Sequence, residues 1–515
     1  MQLSDVERQF AKCSLSDPTT EHEQAQAGTL LQLLPDEIIS SILSEIDLGS
    51  LARLAATCCL LWCDAPAAPT RRIGPVEVEL RRRAVARGFD IGSSLPLVAA
   101  AWVPYLLQRE RHDVLRRYAP LAAGHDHSMF VNWEGRLLTC GSNSGFGYPH
   151  DGRGAVLGHV GDEVGPPTLV PSTCNTRFSS VATGRQHCLA LSAEGEVYSW
   201  GDGRAGQLGH GEATNRSVPS RIESLERIES IAAGASPMSA AVDDRGRLFT
   251  FGFASPGAYP NGLGYPVGPQ TTSQLTPRRV DALSQHRVVG VALGASFTLA
   301  VTDAGAVFSF GYSEEGALGH DMSTSEVLPR RIESLAQTGR RFVAVAAGIR
   351  HALAVSVEGQ LYGWGHGGAN GHGRGNREPV PRRVQALLGE RVKLVGAGSN
   401  GGWSSSCAVT ETGELFTWGF GCRYLGRGGV GEDDRPAVPK RVARLRGVRV
   451  VAVAMGCDHM VVADEHGGAW ACGRRPATGL YDPEAWHVGR AVPEPTLIPS
   501  LRVFVANAAT RAGVA

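Results

Sequence analysis

The sequence predicts a mainly β protein, a seven-bladed β-propeller preceded by a small α-helical region. Three observations support this fold class: a repeated two-strand pattern, a glycine that recurs in seven copies of that pattern, and a high glycine content of 65 among 515 residues. Repeats of about 40 to 50 residues with short strands and Gly-rich turns are typical of propellers. A two-strand unit cannot bury its own apolar face, so the copies are expected to stack in a ring.

The clearest copy of the repeat runs from Ala346 to Gly365. Residues 352–357 are small, apolar or β-branched, and Glu358-Gly359 supplies a turn. Residues 360–364 then alternate polar and large apolar side chains. This pattern predicts a β-hairpin with one face in the core.

Every copy ends with a large or apolar residue followed by glycine. The glycines are Gly141, Gly201, Gly252, Gly311, Gly365, Gly419 and Gly473, and their spacings are 60, 51, 59, 54, 54 and 54 residues. The residues before them are Cys140, Trp200, Phe251, Phe310, Trp364, Trp418 and Cys472. Seven copies at this spacing favour a propeller over a sandwich or a barrel.

Composition restricts the partners and the compartment. Lys plus Arg equals Asp plus Glu, 50 against 50, so the global charge favours neither a membrane nor a nucleic-acid partner, although chromatin binding stays open. The 11 cysteines follow no disulfide framework, which indicates reduced thiols. The sequence has no apolar run of about 18 residues and no signal peptide. We expect a soluble protein of the cytoplasm, the nucleus or both.

Changes in composition divide the chain into four regions. Residues 1–28 are polar and predict a disordered tail. Residues 29–64 form a helical module, and residues 65–115 a basic helical connector. Arginines outnumber acids ten to five between residues 65 and 117, which is compatible with a solvated helical face or an acidic partner. Residues 116–510 form the propeller.

The helical module has two apolar stripes at helical spacing. Pro35 and two acids favour a helix start, and Ser50 can cap a second helix. The candidate contact residues of this module are Leu34, Pro35, Ile39, Leu43, Leu51 and Leu54. Periodicity alone is equally consistent with a small helical cap under the propeller.

Residues 34–39, Leu-Pro-Asp-Glu-Ile-Ile, together with Leu51-x-x-Leu54 and the segment from Cys58 to Trp62, resemble an F-box. The resemblance implies that this module docks the Skp-type adaptor of a cullin-based ubiquitin ligase.

The Gly-x-x-His sequences and the aromatic-Gly turns resemble the regulator of chromosome condensation family, over roughly residues 116 to 510. The residues that define the repeat are Gly124, His127, Gly184, His187, Trp200, Gly201, Gly348, His351, Trp364, Gly365, Trp418, Gly419, Gly456, His459 and Gly473. Pro237 and Phe297 replace the histidine in the third and fourth copies, and the sixth has an insertion, residues 400–406.

The resemblance implies that the histidines lie on the first inner strand, near the central channel. A ring of histidines could bind metal or titrate near neutral pH. The alternative, which we favour, is a structural hydrogen bond from each imidazole to neighbouring backbone.

No catalytic constellation, metal site or cofactor site is identified in the sequence. Residues 201–206 match the dinucleotide fingerprint, but a turn follows where that fingerprint needs a helix. The chain also lacks a Gly-x-Ser-x-Gly elbow, a phosphate-binding loop and a His-Glu-x-x-His motif. We therefore expect a protein that is not an enzyme.

Three functions remain in competition. The first is a substrate-recruiting adaptor of a Skp-cullin-F-box ligase, with an unknown protein substrate on the propeller loops. The second is guanine-nucleotide exchange on a Ran-type GTPase, the activity of the founding member of the propeller family. A propeller scaffold without a ligase role is a separate alternative to all three. The third is light sensing, as in the plant ultraviolet-B photoreceptor, but Arg185-Gln186 and Ile349-Arg350 stand where that receptor has tryptophan.

The ends of the propeller sequence suggest how the ring closes. Residues 495–501 resemble residues 329–335, and no hairpin follows them. The first copy has little sequence before Ala122 to supply an outer strand. We therefore expect residues 493–509 to complete the blade that begins at Leu121.

Overall fold

Seven four-stranded antiparallel sheets make up the part of the chain described by the computed structural model. That part comprises residues 119–143, 155–159, 163–253, 262–268, 270–320, 325–373, 375, 377–400, 403–420, 425–427, 437–474, 477–480 and 491–503. All of these residues belong to one compact unit, Leu115–Val505. The predicted tail, the F-box-like module and the basic connector lie outside the described residues.

The strands follow the chain in groups of four, and each group is one blade. Blade one contains β1 (Leu121–Ala123), β2 (His127–Val131), β3 (Leu137–Ser142) and β4 (Glu163–Leu169). Blade two contains β5 (Phe178–Thr183), β6 (His187–Ser192), β7 (Val197–Gly201) and β8 (Arg216–Arg221). Blade three contains β9 (Ile228–Ala233), β10 (Met238–Asp243), β11 (Leu248–Phe253) and β12 (Ser273–Arg279). Blade four contains β13 (Val288–Leu293), β14 (Phe297–Thr302), β15 (Val307–Gly311) and β16 (Glu326–Arg331).

The remaining three blades have the same order of strands. Blade five contains β17 (Phe342–Ala347), β18 (His351–Ser356), β19 (Leu361–Gly365) and β20 (Glu378–Arg383). Blade six contains β21 (Val392–Asn400), β22 (Trp403–Thr410), β23 (Leu415–Gly419) and β24 (Lys440–Arg441). Blade seven contains β25 (Val450–Met455), β26 (His459–Asp464), β27 (Gly468–Gly473) and β28 (Val492–Arg502).

Short helical turns follow several outer strands and lead the chain into the next blade. One is α-helical, α1 (Glu333–Ala336), and four are 3-10 turns: Pro171–Thr173, Asp281–Leu283, Gln385–Leu387 and Ala443–Leu445. A further 3-10 turn, Glu314–Gly316, lies within blade four, between β15 and β16. Four of these turns contain one buried leucine each, namely Leu283, Leu335, Leu387 and Leu445. These leucines anchor the connections between blades. No helix among the described residues is both long enough and apolar enough to cross a membrane.

The first strand of each blade is innermost, and the first strands close a ring. Each one contacts the first strand of the next blade, and β25 contacts β1. The second strands lie between neighbours on all sides and are buried along their whole length, as His351–Ser356 shows. This environment explains why the predicted hairpin, which forms the second and third strands, is so strongly apolar on its first half. The seven-bladed, mainly β architecture predicted from the sequence is confirmed.

The outer strands carry the polar face and the prolines. Pro219, Pro277, Pro329 and Pro381 lie in β8, β12, β16 and β20. Proline has no N–H to donate to a further strand, and it is confined to sheet edges for that reason. These prolines protect the rim of the propeller against edge-to-edge pairing.

The prediction for ring closure was wrong in its choice of blade. The C-terminal strand β28 pairs with β27 and completes the last blade, while blade one takes its outer strand from β4. The segment resembles residues 329–335 because both are outer strands that follow a third strand in their own blade. It still contributes to closure, since Val503 bridges Asn132 of the first hairpin and Ile498 packs in a core cluster with Leu121.

Candidate functional site

The repeat histidines begin the second strand of their blades. His127, His187, His351 and His459 start β2, β6, β18 and β26, and each is at most 1% exposed. The expectation that they lie on the innermost strand was wrong by one strand. The glycine three residues earlier is required by space, because a Cβ on Gly124, Gly184, Gly348 or Gly456 would overlap the imidazole ring.

Each of these histidines binds a side chain of the next blade. Nε2 lies 2.8 Å from Ser406 Oγ for His351, 3.0 Å from Ser239 Oγ for His187 and 2.8 Å from Ser128 Oγ for His459. His127 makes the corresponding contact with Cys188 Sγ at 3.2 Å. The predicted structural hydrogen bond therefore exists, and its partner in each case is a side chain of the adjacent blade.

The serine partners fix the tautomer of the histidines. Ser406 donates its hydroxyl proton to the carbonyl oxygen of Ala369 at 2.8 Å, so it must accept from the Nε2–H of His351. Burial lowers the pKa of His127 and His351 to about 3, and that of His187 and His459 to about 4. All four are therefore neutral at pH 7 and form structural bonds between blades.

Two copies depart from the histidine in instructive ways. In the third copy, Met238 and not Pro237 takes the position opposite the closing glycine. In the fourth, the Phe297 ring covers Gly294 as an imidazole would, and Phe297 packs in one core cluster with Ala352. Ala352 stands at the position that Ser406 holds in the next copy. Histidine is thus matched with Ser or Cys across the blade interface, and phenylalanine with alanine.

This matching predicts the result of exchanging one pair. His351→Ala removes a fully buried ring and should destabilise the propeller by about 3 kcal/mol, the usual cost of such truncations. The double variant His351→Phe with Ser406→Ala recreates the natural Phe297–Ala352 combination and should recover most of that loss. Urea unfolding followed by tryptophan fluorescence measures both. A double variant as unstable as His351→Ala would contradict the matching.

The insertion in the sixth copy lengthens a hairpin. Strands β21 and β22 have nine and eight residues, and their pairing extends to Asn400 opposite Trp403. Ser405 takes the histidine position there, opposite Gly419.

The repeat tryptophans form a second set of bonds between blades. Trp200, Trp364 and Trp418 are fully buried in β7, β19 and β23. Their Nε1–H groups donate to carbonyl oxygens of the preceding blade, at Val156, Ala317 and Ala369, each at 2.8 Å. Light sensing is not supported by these tryptophans, because their indoles pack in the core as structural anchors.

The closing glycines adopt backbone conformations that other residues avoid. Gly365 has φ of 88° and Gly201 has φ of 103°, and Gly419 and Gly473 are similar at 109° and 114°. A Cβ on Gly365 would also overlap the carbonyl oxygen of Arg350 in the Gly-x-x-His turn. The two glycines of the repeat are thus explained by close approach and by positive φ.

The seven turns that join the first and second strands, four of which have the sequence Gly-x-x-His, open on one face of the propeller around a cavity of about 270 Å³, which we call the channel-mouth cavity. Every blade contributes to its lining, with residues that include Gly124, Gly184, Ser236, Ala295, Gly348, Gly398 and Gly456. Small residues predominate there, so polar side chains in the lining stand out.

One polar cluster lies at this cavity, where blade one meets blade seven. It consists of His125, Asp126, Cys457, Asp458 and Arg474, and we call it the closure cluster. His125 Nδ1 is 2.6 Å from Asp126 Oδ2, and Arg474 Nη1 is 3.6 Å from Asp126 Oδ1 and 4.0 Å from Asp458 Oδ2. The Asp126 carboxylate, which accepts a hydrogen bond from the ring, and then the neighbouring Cys457 raise the pKa of His125 to about 10, so this imidazole is protonated at neutral pH.

The closure cluster was missed at the level of sequence. Its signal was in the two variable positions of the Gly-x-x-His turn, which hold His-Asp in the first copy and Cys-Asp in the last. A closed ring places the first and last copies side by side, and that step was needed to bring the two turns together.

For two predictions from the sequence, the adaptor-binding residues and a metal-binding ring of histidines, the described residues show no site. The adaptor-binding residues Leu34, Pro35, Ile39, Leu43, Leu51 and Leu54 lie outside the described residues. Within the described part of the chain, no group of three or more His, Cys, Asp or Glu side chains is arranged to hold a metal ion.

Family models and known proteins agree with this architecture. The model described as the regulator of chromosome condensation (RCC1) repeat matches residues 194–238, 245–301, 304–355 and 412–463, and a second model of that repeat matches 178–207 and 342–374. The crystal structure of Prp20p from Saccharomyces cerevisiae is similar in fold, with a TM-score of 0.58 and 20% identity, covering 78% of this chain and 97% of that one.

Two curated relatives share more sequence. The human E3 ubiquitin-protein ligase HERC2 is 36% identical over 372 residues, which are 70% of this chain and only 7% of HERC2. The ultraviolet-B receptor UVR8 of Arabidopsis thaliana is 33% identical over 322 residues, which are 60% of this chain and 70% of the receptor. Repeat matches, sheet topology and this degree of identity lead to one conclusion. The chain belongs to the regulator of chromosome condensation (RCC1) repeat family.

Proposed function

We propose that this RCC1-type propeller, a protein-interaction module, recruits a protein substrate to a Skp-cullin-F-box ubiquitin ligase. In this proposal the propeller presents the recognition surface and residues 29–64 dock the Skp-type adaptor. The observation that carries the interaction role is the channel-mouth cavity, where turns from all seven blades form one composite surface on a rigid ring. The repeat side chains are used internally, as bonds between blades, which leaves recognition to the turns and loops.

The ligase part of the proposal rests on sequence. The Leu-Pro-Asp-Glu opening at residues 34–37 and the two apolar stripes resemble an F-box. HERC2 is named as an E3 ubiquitin-protein ligase, so a related propeller occurs within a ligase. The chain spans only 7% of HERC2, and the activity of that whole protein does not transfer with the propeller. We place the adaptor complex in the cytoplasm or the nucleus, and we assign the chain no catalytic role.

Guanine-nucleotide exchange is the competing function. Prp20p has binding properties towards Gsp1p and histones, but an identity of 20% supports a shared fold alone. A purified Ran-type GTPase loaded with fluorescent nucleotide provides the direct comparison. Nucleotide release accelerated by this chain would favour exchange over the adaptor role.

The adaptor role is tested by changing two residues of the F-box-like opening. Leu34→Ala with Pro35→Ala removes an aliphatic contact and the residue that fixes a first helical turn. Truncation of central apolar anchors costs about 2 kcal/mol or more each, some thirtyfold in affinity. The full-length double variant should lose a purified Skp-type adaptor in a pull-down while the propeller unfolds at the wild-type urea concentration.

The matched control changes two exposed leucines of the propeller. Leu388 and Leu497 are 47% and 43% exposed, so Leu388→Ala with Leu497→Ala removes the same kind of side chain elsewhere. This control should retain the adaptor. If the wild-type chain does not bind the adaptor at micromolar concentration, the ligase role is wrong and a propeller scaffold remains.

A further inference from the structure

The outer strands of four successive blades each carry two consecutive basic residues. They are Arg278-Arg279 in β12, Arg330-Arg331 in β16, Arg382-Arg383 in β20 and Lys440-Arg441 in β24. The second residue of each pair lies opposite an aromatic residue of the third strand, namely Phe249, Phe308, Tyr362 and Phe416. The basic pairs therefore occupy the same place in each blade and follow the rim of the propeller over blades three to six.

The two residues of a pair face different neighbouring blades. Opposite residues of an antiparallel sheet have their side chains on one face, and successive residues alternate between faces. Phe308, opposite Arg331, packs in the core cluster between blades three and four, so Arg331 faces blade three. Arg278 lies over the ring of Tyr265 in the same cluster, with 4.2 Å from its Cζ to the ring centroid. Arg278 and Arg331 thus flank the outer end of one boundary between blades.

The same arrangement recurs at the next two boundaries between blades. Tyr362 and Phe416, opposite Arg383 and Arg441, pack in the clusters of the boundaries four/five and five/six. The first residues of the preceding pairs, Arg330 and Arg382, face them from the other side. We call the three pairs that flank these boundaries the arginine rim: Arg278 with Arg331, Arg330 with Arg383, and Arg382 with Arg441. At the remaining boundaries the described strands supply at most one basic residue at these two positions, as Thr168 and Arg221 show.

Packing alone does not account for these charges. A long aliphatic stem beside an aromatic ring is an ordinary packing role for arginine. In the other arc of the propeller, however, leucine occupies the same place: Leu497 lies opposite Trp470 and Leu169 opposite Leu138. Covering the third strand therefore needs no cation, and the guanidinium groups of the arginine rim have another role.

Half of the arginine rim is not neutralised by acids within the described part of the chain. Arg330, Arg382 and Arg441 are ion-paired with Glu326, Glu378 and Glu414. Arg331 and Arg383 have no ion pair or hydrogen bond among the described residues, and Arg278 has its contact with the Tyr265 ring but no ion pair there. The boundary between blades three and four therefore has the largest uncompensated positive charge of the three.

Exposed aliphatic side chains stand just before the basic pairs in sequence. Leu328 is 50% exposed, and Val327, Val380 and Val438 are 37%, 38% and 39% exposed. Arginine binds carboxylates through its planar fork of donors. A surface that combines arginine with aliphatic side chains fits an acidic protein segment with apolar residues between the acids. A nucleic acid would use the charges alone, because its backbone offers phosphates and sugars.

We propose that the arginine rim docks an acidic, extended protein segment whose apolar residues contact the aliphatic side chains of the outer strands. The proposal rests on the proposed role of the propeller in recruiting protein substrates, and it adds a recognition surface separate from the channel-mouth cavity. Pro329 and Pro381 remove N–H groups from these edges. The segment is therefore held by side chains and does not add a further strand to the sheet.

The probe is a fluorescein-labelled peptide of repeated Glu-Glu-Leu, about twelve residues long. Fluorescence anisotropy with the full-length chain should show binding that weakens as NaCl is raised, because salt screens exposed charges. A Glu-Glu-Ser peptide, which lacks the leucines, should bind about tenfold more weakly. No binding of the Glu-Glu-Leu peptide at micromolar concentration would overturn the proposal. Tighter binding of duplex DNA than of this peptide would also overturn it, in favour of a nucleic-acid partner.

A double variant tests the two arginines that have no described ion pair. Arg331→Leu with Arg383→Leu introduces the residue that blades one and seven have at this place, so the fold should tolerate it. The affinity for the Glu-Glu-Leu peptide should fall about tenfold, the combined effect of two exposed charge contacts. Unfolding in urea shows whether the variant is folded.

The matched control removes two positive charges elsewhere. Arg221 has the same register position but no second arginine at its boundary, and Arg391 is ion-paired with Glu411 at 3.1 Å. Arg221→Leu with Arg391→Leu should bind the Glu-Glu-Leu peptide as the wild type does. An equal loss of affinity in both double variants would overturn the proposal, because net charge would then explain the binding.

Charge reversal keeps the proposal falsifiable if the leucine variant fails to fold. Arg331→Glu with Arg383→Glu should lose the Glu-Glu-Leu peptide and gain binding of a Lys-Lys-Leu peptide. A folded variant that still prefers Glu-Glu-Leu would show that the acidic peptide does not use the arginine rim. These assays contain no Skp-type adaptor, so this proposal can fail while the adaptor pull-down succeeds, and the adaptor role can fail while the peptide binds.

Discussion

Lowering the pH from 7 to 5 is expected to destabilise the propeller by several kcal/mol. The cause is the set of buried histidines that join blades, His127, His187, His351 and His459. Their pKa values of about 3 to 4 in the fold lie below the ordinary value of 6.5. The unfolded chain therefore binds protons that the folded chain excludes, and stability falls as the pH drops below about 6.5.

The size of the effect follows from linkage. One pKa unit corresponds to about 1.4 kcal/mol, so each of these histidines loses about 2 kcal/mol of stability between pH 7 and pH 5. His125 acts in the opposite direction. Its pKa is raised in the fold, so its contribution is complete below pH 6.5 and disappears only as the pH rises towards about 10. The stability gained from His125 is smaller than the combined loss from the four buried histidines. Acidification therefore lowers the net stability of the propeller.

Urea unfolding at pH 7, 6 and 5 measures this dependence. The double variant His351→Phe with Ser406→Ala lacks one of the four histidines and should show a correspondingly shallower fall. A wild-type propeller whose unfolding midpoint is the same at pH 5 and pH 7 would contradict the role of neutral, buried histidine. All samples contain a chelator, so the loss of a bound metal ion at low pH would not account for a fall in stability.

The hairpin of each blade could be predicted from sequence because its signals are local. Turn residues such as Glu358-Gly359, the apolar run of β18 and the closing Gly365 all lie within one short segment. Assignment of the outer strand was less secure, because residues 495–501 have the same pattern whether they pair with β27 or with the first blade. The pattern of these residues predicts an outer strand, but it does not show which blade that strand completes. That depends on which third strand lies beside it in the fold.

The bonds between blades could have been found in part. Ser128 and Cys188 directly follow a repeat histidine in the sequence, and each bonds the histidine of the preceding copy. Ser239 and Ser406 take the same place only in the structure, which puts Met238 and Ser405 at the histidine position. The closure cluster is different, since His125 and Cys457 meet only when the ring closes. The F-box-like module is still a prediction from its sequence, and the pull-down of the Leu34 and Pro35 variant tests it.

Trp364→Ala is expected to destabilise the propeller more than His351→Ala does. The side chain is fully buried between blades four and five, in a cluster with Leu318 and Ile332. Truncation of a buried tryptophan costs about 3–5 kcal/mol, because the cavity that remains is only partly filled. The carbonyl oxygen of Ala317 also loses its indole donor, which adds about 1 kcal/mol.

Two further variants show which part of the tryptophan matters. Trp364→Phe keeps a ring without a donor, as Phe251 and Phe310 do at the same position in blades three and four, and should cost about 1–2 kcal/mol. Trp133→Ala is the control, because Trp133 is 66% exposed in the first hairpin turn and should change stability by no more than about 0.5 kcal/mol. Urea unfolding by circular dichroism ranks the three. If Trp364→Ala unfolds at the same urea concentration as Trp133→Ala, the indole does not hold blades four and five together. The ring would then depend on the histidine bonds and on backbone pairing within each blade.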